Sequence, residues 1–255
     1  DRKEKRAKRT CKVIKDSNVK GEFMITEKMT LAEIVRLYPQ TIPYLNELHL
    51  DYCCGGHLPM DESFPDGEVD VQKIVTELNK LAAKPVPSKG GGASSIEAFK
   101  NLSVNDMLAD LELTHHKDER EMMAQLDQLI NKILVVHYTH HAEELTKIHN
   151  LFATMKAELE VHFAKEERLV FPLMRVNPHP DKETLDFIKQ LEDEHNAVGD
   201  MIKEMQRLTN DYTVPQDACV TYERTFNLIR EFTEDIFVHV FKENSIVFPE
   251  YEEQA

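Results

Sequence analysis

The sequence predicts an all-α protein in which a small N-terminal helical domain precedes an up-down-up-down four-helix bundle. Glycine and proline are sparse, at 8 and 11 of 255 residues, and they are clustered rather than scattered. The rest of the chain contains long stretches with apolar residues three and four positions apart, which is the spacing of amphipathic helices. Short connections between these stretches favour antiparallel neighbours, as in a bundle.

The chain divides into four parts at changes in composition. Residues 1–26 are basic and are expected to form a disordered tail, and residues 27–83 are expected to form the small helical domain. Residues 84–99 are rich in Pro, Gly and Ser and are predicted to be a flexible linker. Residues 100–251 are predicted to form the bundle. Because a domain of about 55 residues is marginally stable alone, the small domain is expected to dimerise or to dock on the bundle.

The four bundle helices are predicted from apolar stripes, caps and prolines. Ser103 is the expected N-cap of the first helix, since a serine hydroxyl can accept a hydrogen bond from the first turn. In order, the helices cover about 104–134, about 142–173, the stretch from Pro180 to about 208, and the stretch from Pro215 to about 250.

A repeated motif lies on the second and fourth of these helices. His162-Phe-Ala-Lys-Glu166-Glu-Arg-Leu-Val-Phe-Pro and His239-Val-Phe-Lys-Glu243-Asn-Ser-Ile-Val-Phe-Pro share their His, Lys, Glu, Val, Phe and Pro positions. Residues four apart lie on one face of a helix, so each His and its Glu can reach the same metal ion. A carboxylate has two oxygens and can bridge two ions. The repeat therefore predicts a two-metal site.

His195 on the third helix is predicted to lie at the same level of the bundle. In an antiparallel hairpin, residues equidistant from the turn share one height, because both helices rise about 1.5 Å per residue. The midpoint between His162 and His195 falls at 178–179, inside the predicted turn. The midpoint between His195 and His239 falls at 217, in the break that follows Pro215.

The first helix offers two candidates for this level, His115 and His116. The midpoint between His116 and His162 falls at 139, in the histidine-rich turn, and His115 does almost as well. The geometry alone leaves both open. His137 follows His116 by about 31 Å of continuous helix. It is therefore placed at the far end of the bundle, together with His140, His141 and His149.

The predicted donor set indicates which metals fit. Nitrogen and carboxylate donors without thiolate favour non-haem iron, followed by manganese, over zinc. Two buried unpaired carboxylates would cost several kcal/mol, and bound metal ions remove that cost. Glu158 and Glu194 are expected to support the ligands from behind or to line an access path, with simple surface exposure as the alternative. Lys165 and Lys242, which recur in the motif, are expected on a solvated face.

The net charge indicates which partners to exclude, and the cysteine pattern indicates the cellular compartment. A net charge of −15 argues against nucleic-acid and membrane-surface partners, which are themselves anionic. The chain contains no apolar run of about 18 residues, so no membrane-spanning helix is predicted. The four cysteines, Cys11, Cys53, Cys54 and Cys219, show no secreted disulfide pattern, which favours a cytoplasmic location. A remnant of an organellar presequence is the alternative interpretation of the basic start.

Taken together, these motifs resemble a known family. Residues 100–251 resemble a hemerythrin-like domain, and Asp51-Tyr-Cys-Cys-Gly-Gly56 resembles the N-terminal domain of iron–sulfur cluster repair di-iron proteins, the RIC family. The resemblance covers about 27–251. It implies two non-haem iron ions per chain, carboxylate- and oxo-bridged. The implied ligands are His116 rather than His115, together with His162, His195, His239 and the bridging Glu166 and Glu243.

The resemblance also implies a function. It is repair of iron–sulfur clusters damaged by nitric oxide or oxidants, with iron donated to damaged iron–sulfur proteins and with O₂ or NO as small ligands. Cys53 and Cys54 are assigned a thiol role in passing iron, reacting with NO or contacting the client, against the alternative of a structural turn. A di-iron NO reductase that forms N₂O and an O₂ or NO sensor or carrier are the competing functions.

The third helix departs from the pattern of oxygen-carrying hemerythrins, which commonly place a His pair there. Gly199 stands one turn after His195 in this chain. One of the two irons is therefore expected to have fewer protein ligands than the other and to be released more easily.

Overall fold

The computed structural model describes residues 24–64, 69–87 and 91–254. Its regular structure in those ranges is helical, apart from one isolated β-bridge between Thr30 and Pro59, so the all-α prediction is confirmed. The predicted basic tail over 1–26 lies almost wholly outside the described residues. No helix in the described ranges has the length and apolarity needed to cross a membrane.

The described part of the N-terminal unit contains three short α-helices. They are α1 (Leu31–Leu37), α2 (Ile42–Glu47) and α3 (Val71–Ala82). Thr30 starts α1 with a capping box, because its hydroxyl accepts from the N–H of Glu33 at 3.1 Å and its own N–H donates to the Glu33 carboxylate at 3.0 Å. A small core of buried side chains holds the unit together: Leu31, Ile34, Val35, Leu45, Met60 and Leu78.

The second half of the predicted linker is a helix, α4 (Gly91–Phe99). Ala93, Ile96 and Phe99 are buried at intervals of three residues. Gly92 approaches the bundle so closely that a Cβ there would lie 2.6 Å from a methyl group of Val238. The prediction of a flexible linker over 84–99 is therefore wrong for this segment, because its apolar residues fall on one helical face and pack on the bundle.

Four antiparallel segments form the bundle. Its helices are α5 (Val104–Leu111), α6 (Lys117–Lys165), α7 (Phe171–Val176), α8 (Lys182–Leu208), α9 (Val220–Lys242) and α10 (Phe248–Glu252). Within α6, His141 has non-helical backbone angles, φ −125° and ψ 21°. Hydrogen bonds of 3.1 Å join His149 to Asn131 and Arg120 to Glu160, which shows that the chain reverses near His141 as predicted.

Three π-helical segments of five residues each interrupt the bundle helices. They are Glu112–His116, Glu166–Val170 and Glu243–Val247. Each contains one predicted metal ligand, with His116 at the end of the first segment and Glu166 and Glu243 at the start of the others. π segments are rare and occur mostly at functional sites. All three therefore mark the level of the candidate metal centre.

The N-terminal unit docks on the bundle, which is one of the two predicted alternatives. Tyr52 is fully buried, and its ring packs edge-on against Phe237 and Phe241 of α9 with centroid separations of 5.9 and 6.0 Å. Asp51 pairs with Lys203 of α8 at 2.8 Å. These contacts fix the loop that carries both neighbouring cysteines against the bundle.

Candidate metal centre

Six buried side chains converge into two clusters that share two carboxylates. The first cluster contains His116, His239, Glu166 and Glu243, and the second contains His162, His195, Glu166 and Glu243. In each cluster, one potential ligand atom from every residue lies within 4.8 Å of the others. The structure thus brings together all six residues predicted as ligands, with His116 as the histidine of the first bundle helix.

Each shared carboxylate directs one oxygen into each cluster. Glu166 places Oε2 3.3 Å from Nε2 of His116 and Oε1 3.3 Å from Nε2 of His162. Glu243 places Oε1 3.4 Å from Nε2 of His239 and Oε2 3.1 Å from Nε2 of His195. This arrangement suits two bridging carboxylates.

All four histidines are oriented from behind through Nδ1. An oxygen that accepts the Nδ1 proton leaves the Nε2 lone pair of a neutral imidazole directed at the centre. The pairs are His116 with Glu167 at 3.0 Å, His162 with Glu194 at 2.8 Å, His195 with Asn244 at 2.8 Å, and His239 with Glu119 at 2.9 Å.

Sequence reasoning missed three of these four supporting residues. Glu194 lies behind His162, which was one of its two predicted places, whereas Glu158 is exposed, which was the alternative. Glu167 and Asn244 follow the shared carboxylates at equivalent positions of the repeat, and that equivalence was the signal available in the sequence. Glu119 lies one turn after His115 and His116 and reaches the fourth helix, a contact that the sequence pattern does not show.

Several polar atoms at the centre have no hydrogen-bond partner among the described residues. Both carboxylate oxygens of Glu166 and of Glu243 are buried without such a partner, and so is Nε2 of His116 and of His239. Unpaired buried carboxylates are costly, and a cation between them removes the cost. The residues present therefore fit two divalent metal ions, each with two imidazole nitrogens and two carboxylate oxygens.

The charges at the centre shift each other's ionisation. Burial alone lowers the pKa of His162, but the carboxylates of Glu166 and Glu194 outweigh burial and raise this pKa to about 10. Burial also opposes ionisation of Glu243, yet the imidazoles of His239 and His195 hold the pKa of Glu243 well below its usual range. Carboxylates likewise raise the pKa of His239 well above its usual value, so in the metal-free protein His162 and His239 hold protons that offset the charge of the carboxylates. Metal binding must displace those protons.

The expectation of one ion with fewer protein ligands is not met, because each cluster has two imidazoles and one oxygen from each shared carboxylate. The missing side chain at Gly199 instead makes room for a cysteine. A Cβ at this position would lie 3.3 Å from Sγ of Cys54. The same thiol donates to the backbone carbonyl of His195 at 3.2 Å.

The two adjacent cysteines form a group with Asp51. Sγ of Cys53 lies 3.2 Å from Oδ1 of Asp51 and 3.6 Å from Sγ of Cys54. Burial raises the pKa of Cys53 well above that of an ordinary thiol. Both cysteines line a cavity of about 450 Å³, and Asn244, which orients His195, lines it too. The thiol pair thus shares a cavity with Asn244, the residue that orients His195.

The two lysines of the repeat do not form a solvated face, so that prediction is wrong. Lys242 is 1% exposed, pairs with Asp110 at 3.0 Å and lies 4.7 Å from the ring centroid of Phe99. Lys165 pairs with Glu194, which supports a ligand histidine. Both lysines neutralise carboxylates close to the centre, and the sequence pattern gave no sign of their partners.

The remaining histidines of the first turn lie away from both clusters. His137 contacts Cys219 at 3.2 Å, and His141 contacts Asp217 at 3.0 Å. His149 contacts Asn131 beside the same turn, and His140 is exposed. The structure places all four at the end of the bundle where the sequence predicted them.

Comparison with known proteins agrees with this architecture. The family model of the hemerythrin HHE cation binding domain matches residues 107–251, and that of the ScdA_N domain of unknown function (DUF542) matches residues 27–82. The iron-sulfur cluster repair protein YtfE of Escherichia coli O8 (strain IAI1) is 28% identical to the chain over 221 residues, 86% of this chain and 94% of the relative. The YtfE protein of Shigella boydii serotype 4 (strain Sb227) matches with the same values. The chain belongs to the hemerythrin HHE cation binding domain family and carries a ScdA_N domain before the bundle.

Proposed function

We propose that this protein holds two iron ions at the paired clusters and repairs damaged iron–sulfur clusters by donating iron through the loop of Cys53 and Cys54. The paired clusters have a donor set suited to non-haem iron. The relatives that share both domains are named as iron-sulfur cluster repair proteins. A carrier of O₂ or NO has no need of a docked thiol loop, whereas an iron donor needs a path by which iron leaves the site.

The contact between Cys54 and His195 carries the proposal. The thiol hydrogen-bonds the backbone carbonyl of His195 and fills the space above Gly199, so the N-terminal unit contacts the helix turn that carries this histidine. The cavity that both cysteines line also contains Asn244, one hydrogen bond from His195. An iron ion leaving the second cluster on this side meets sulfur ligands first.

The paired clusters and the cysteine loop differ in the donor atoms that they offer to iron. Bound iron would supply redox and Lewis-acid chemistry at the paired clusters. Glu166 and Glu243 would each offer one oxygen to either ion, and the oxygen acceptors behind the histidines keep the imidazoles in place. Asp51, Cys53 and Cys54 form a separate group of potential ligand atoms within 4.8 Å of one another. Thiolates are softer donors than carboxylates and are the usual ligands of iron–sulfur clusters.

Iron transfer in the absence of any other iron source tests this function. The protein loaded with ferrous iron is incubated anaerobically with a metal-free ferredoxin and sulfide, with a chelator present to trap free iron. Recovery of the ferredoxin cluster spectrum is expected. Cys53→Ser combined with Cys54→Ser should keep both irons and lose the transfer, whereas Cys219→Ser, a change of the exposed distant thiol, should retain both. Transfer at the wild-type rate by the double variant would overturn the role of the loop.

Exposure of the iron-loaded protein to O₂ or to NO, set beside the transfer assay, separates the competing functions. Reversible binding of O₂ or NO without loss of iron would identify a carrier or sensor and contradict donation. Catalytic formation of N₂O from NO in the presence of an electron donor, with the iron retained, would identify a reductase. Cluster recovery with matching loss of iron from the donor supports the proposal.

A further inference from the structure

A third group of potential ligand atoms lies beside the first cluster. His115, Glu119 and Asp235 each place one such atom within 4.8 Å of the other two. Nδ1 of His115 lies 2.8 Å from Oδ2 of Asp235 and 4.0 Å from Oε1 of Glu119. An imidazole and two carboxylates are ligands that divalent first-row cations accept.

Two of these side chains are buried with polar atoms unsatisfied. Glu119 is 0% exposed and His115 is 5% exposed. Glu119 uses Oε1 to accept from His239, while its Oε2 has no hydrogen-bond partner among the described residues, and neither has Nε2 of His115. A buried carboxylate oxygen facing a second carboxylate is unfavourable unless a proton or a cation joins them.

The group is open to solvent on one side. Asp235, whose side chain is 32% exposed, lines a cavity of about 770 Å³ between the N-terminal unit and the bundle, and His115 lines it too. The acidic side chains of this lining are Glu47, Asp118, Asp211, Glu231, Glu234 and Asp235. Arg230 is the one arginine or lysine among the described lining residues. A cleft with an excess of one charge concentrates ions of the opposite charge.

The group also adjoins the metal centre. Glu119 accepts the Nδ1 proton of His239, and the ring of His115 stacks on the ring of His239 with centroids 5.0 Å apart and planes 5° apart. An ion held by Glu119 is therefore separated from the first cluster by one imidazole. This side of the bundle differs from the side on which the cysteine loop lies, where His195 is the nearest ligand.

We propose that His115, Glu119 and Asp235 bind a divalent cation, which is iron on its way between the acidic cavity and the paired clusters. The binding site itself follows from the geometry of the three residues. The identification of the bound cation as iron rests on the proposed function, since that function requires iron to reach the paired clusters.

Binding of Mn²⁺ to the iron-loaded protein tests the site without relying on activity. With the paired clusters filled by iron, the paramagnetic resonance signal of free Mn²⁺ should report one further bound ion per chain. Asp235→Asn and His115→Gln should weaken this binding by at least 10- to 100-fold, the loss seen even for residues that only support a ligand. Neither variant should change the iron content, because neither residue belongs to the paired clusters.

Asp118→Asn is the matched control, since Asp118 is an exposed carboxylate on the wall of the same cavity. It should bind Mn²⁺ as the wild type does. Absence of bound Mn²⁺ at millimolar concentration, or equal binding by all three variants and the wild type, would overturn the site. Cluster repair that proceeds normally in both Asp235→Asn and His115→Gln would refute only the passage of iron through this site, whereas Mn²⁺ binding with no iron donation would refute only the proposed function.

Discussion

The Nε2 atoms of His162 and His195 lie 3.0 Å apart at the centre of the bundle. Each ring uses Nδ1 to donate to an oxygen behind it, Glu194 for one and Asn244 for the other. Neutral rings would therefore direct two lone pairs at each other, and the pair stays together only with a proton or a metal ion between the nitrogens. Occupancy of the centre should consequently govern the stability of the bundle.

Removal of Glu243 tests this coupling. Iron should stabilise the wild-type protein by about 2.7 kcal/mol at a free concentration 100 times the dissociation constant, for one site. Glu243→Gln should lose most of that gain, because one oxygen of each cluster is replaced or neutralised. Anaerobic thermal unfolding with and without ferrous iron measures the difference. Glu158→Gln, on an exposed position, should retain the full gain, and an equal gain in both variants would contradict the assignment of Glu243.

Glu194 should control the affinity of the second cluster. The Nδ1–H of His162 and the ammonium of Lys165 outweigh partial burial and lower the pKa of Glu194 to about 2, so this carboxylate is ionised at neutral pH. Glu194→Ala removes the acceptor behind His162 and should weaken iron binding by roughly 10- to 100-fold. Competition with a calibrated chelator measures the affinity. Asp193→Ala changes the exposed neighbour and should have no effect, so a similar loss in both would count against a specific role.

Gly199→Ala should separate bundle stability from thiol docking. The added methyl group would lie 3.3 Å from Sγ and 3.9 Å from Cβ of Cys54, so the thiol has to shift by a few tenths of an ångström and its packing is loosened. Replacement of glycine in a helix interior by alanine favours the helix by about 1 kcal/mol. The melting temperature should thus stay constant or rise, iron content should stay constant, and Cys54 should react faster with iodoacetamide. Peptide mapping measures the reaction, with the exposed Asp200→Ala as control. Unchanged reactivity of Cys54 would show that the contact is loose.

Cys219 should react with a pH profile set by His137. The hydrogen bond from His137, together with the N–H groups of Tyr222 and Thr221, lowers the pKa of Cys219 to about 7. The thiol is protonated and unreactive below this value, so alkylation should accelerate as pH rises and reach half of its maximum near pH 7. His137→Gln should move the midpoint towards the ordinary thiol pKa of about 8.5. His149→Gln, which leaves the thiol contact intact, should not. A profile identical in all three proteins would contradict the pairing.

Helical periodicity was sufficient to predict the bundle and the level of its ligands. Each helix advances by a constant rise, so loop midpoints placed His162, His195 and His239 at one height without any tertiary information. The choice between His115 and His116 needed more, since both neighbours share that height and differ only in the direction they face. The side chain of His116 belongs to the first cluster, and that of His115 belongs to the group with Glu119 and Asp235.

Features that depend on contacts between segments could not be predicted in this way. The burial of Lys242 requires Asp110 and Phe99 from other helices, and nothing in the local pattern distinguishes it from a solvated lysine. The three π segments likewise have no local signature, because five ordinary residues adopt the wider turn under the demands of the site. Helix α4 was missed since a run of Gly and Ser outweighed the spacing of Ala93, Ile96 and Phe99.

The even distribution of donors relates the two clusters to each other by an approximate twofold exchange, which their surroundings do not follow. Exchange of the first helix with the third and of the second with the fourth maps His116 onto His195 and His162 onto His239. The cysteine loop touches the His195 side, and Asp235 with its acidic cavity adjoins the His239 side. Two ions held at these clusters would have the same kinds of ligand but different neighbours, so any preferred direction of metal transfer would originate outside the ligands themselves.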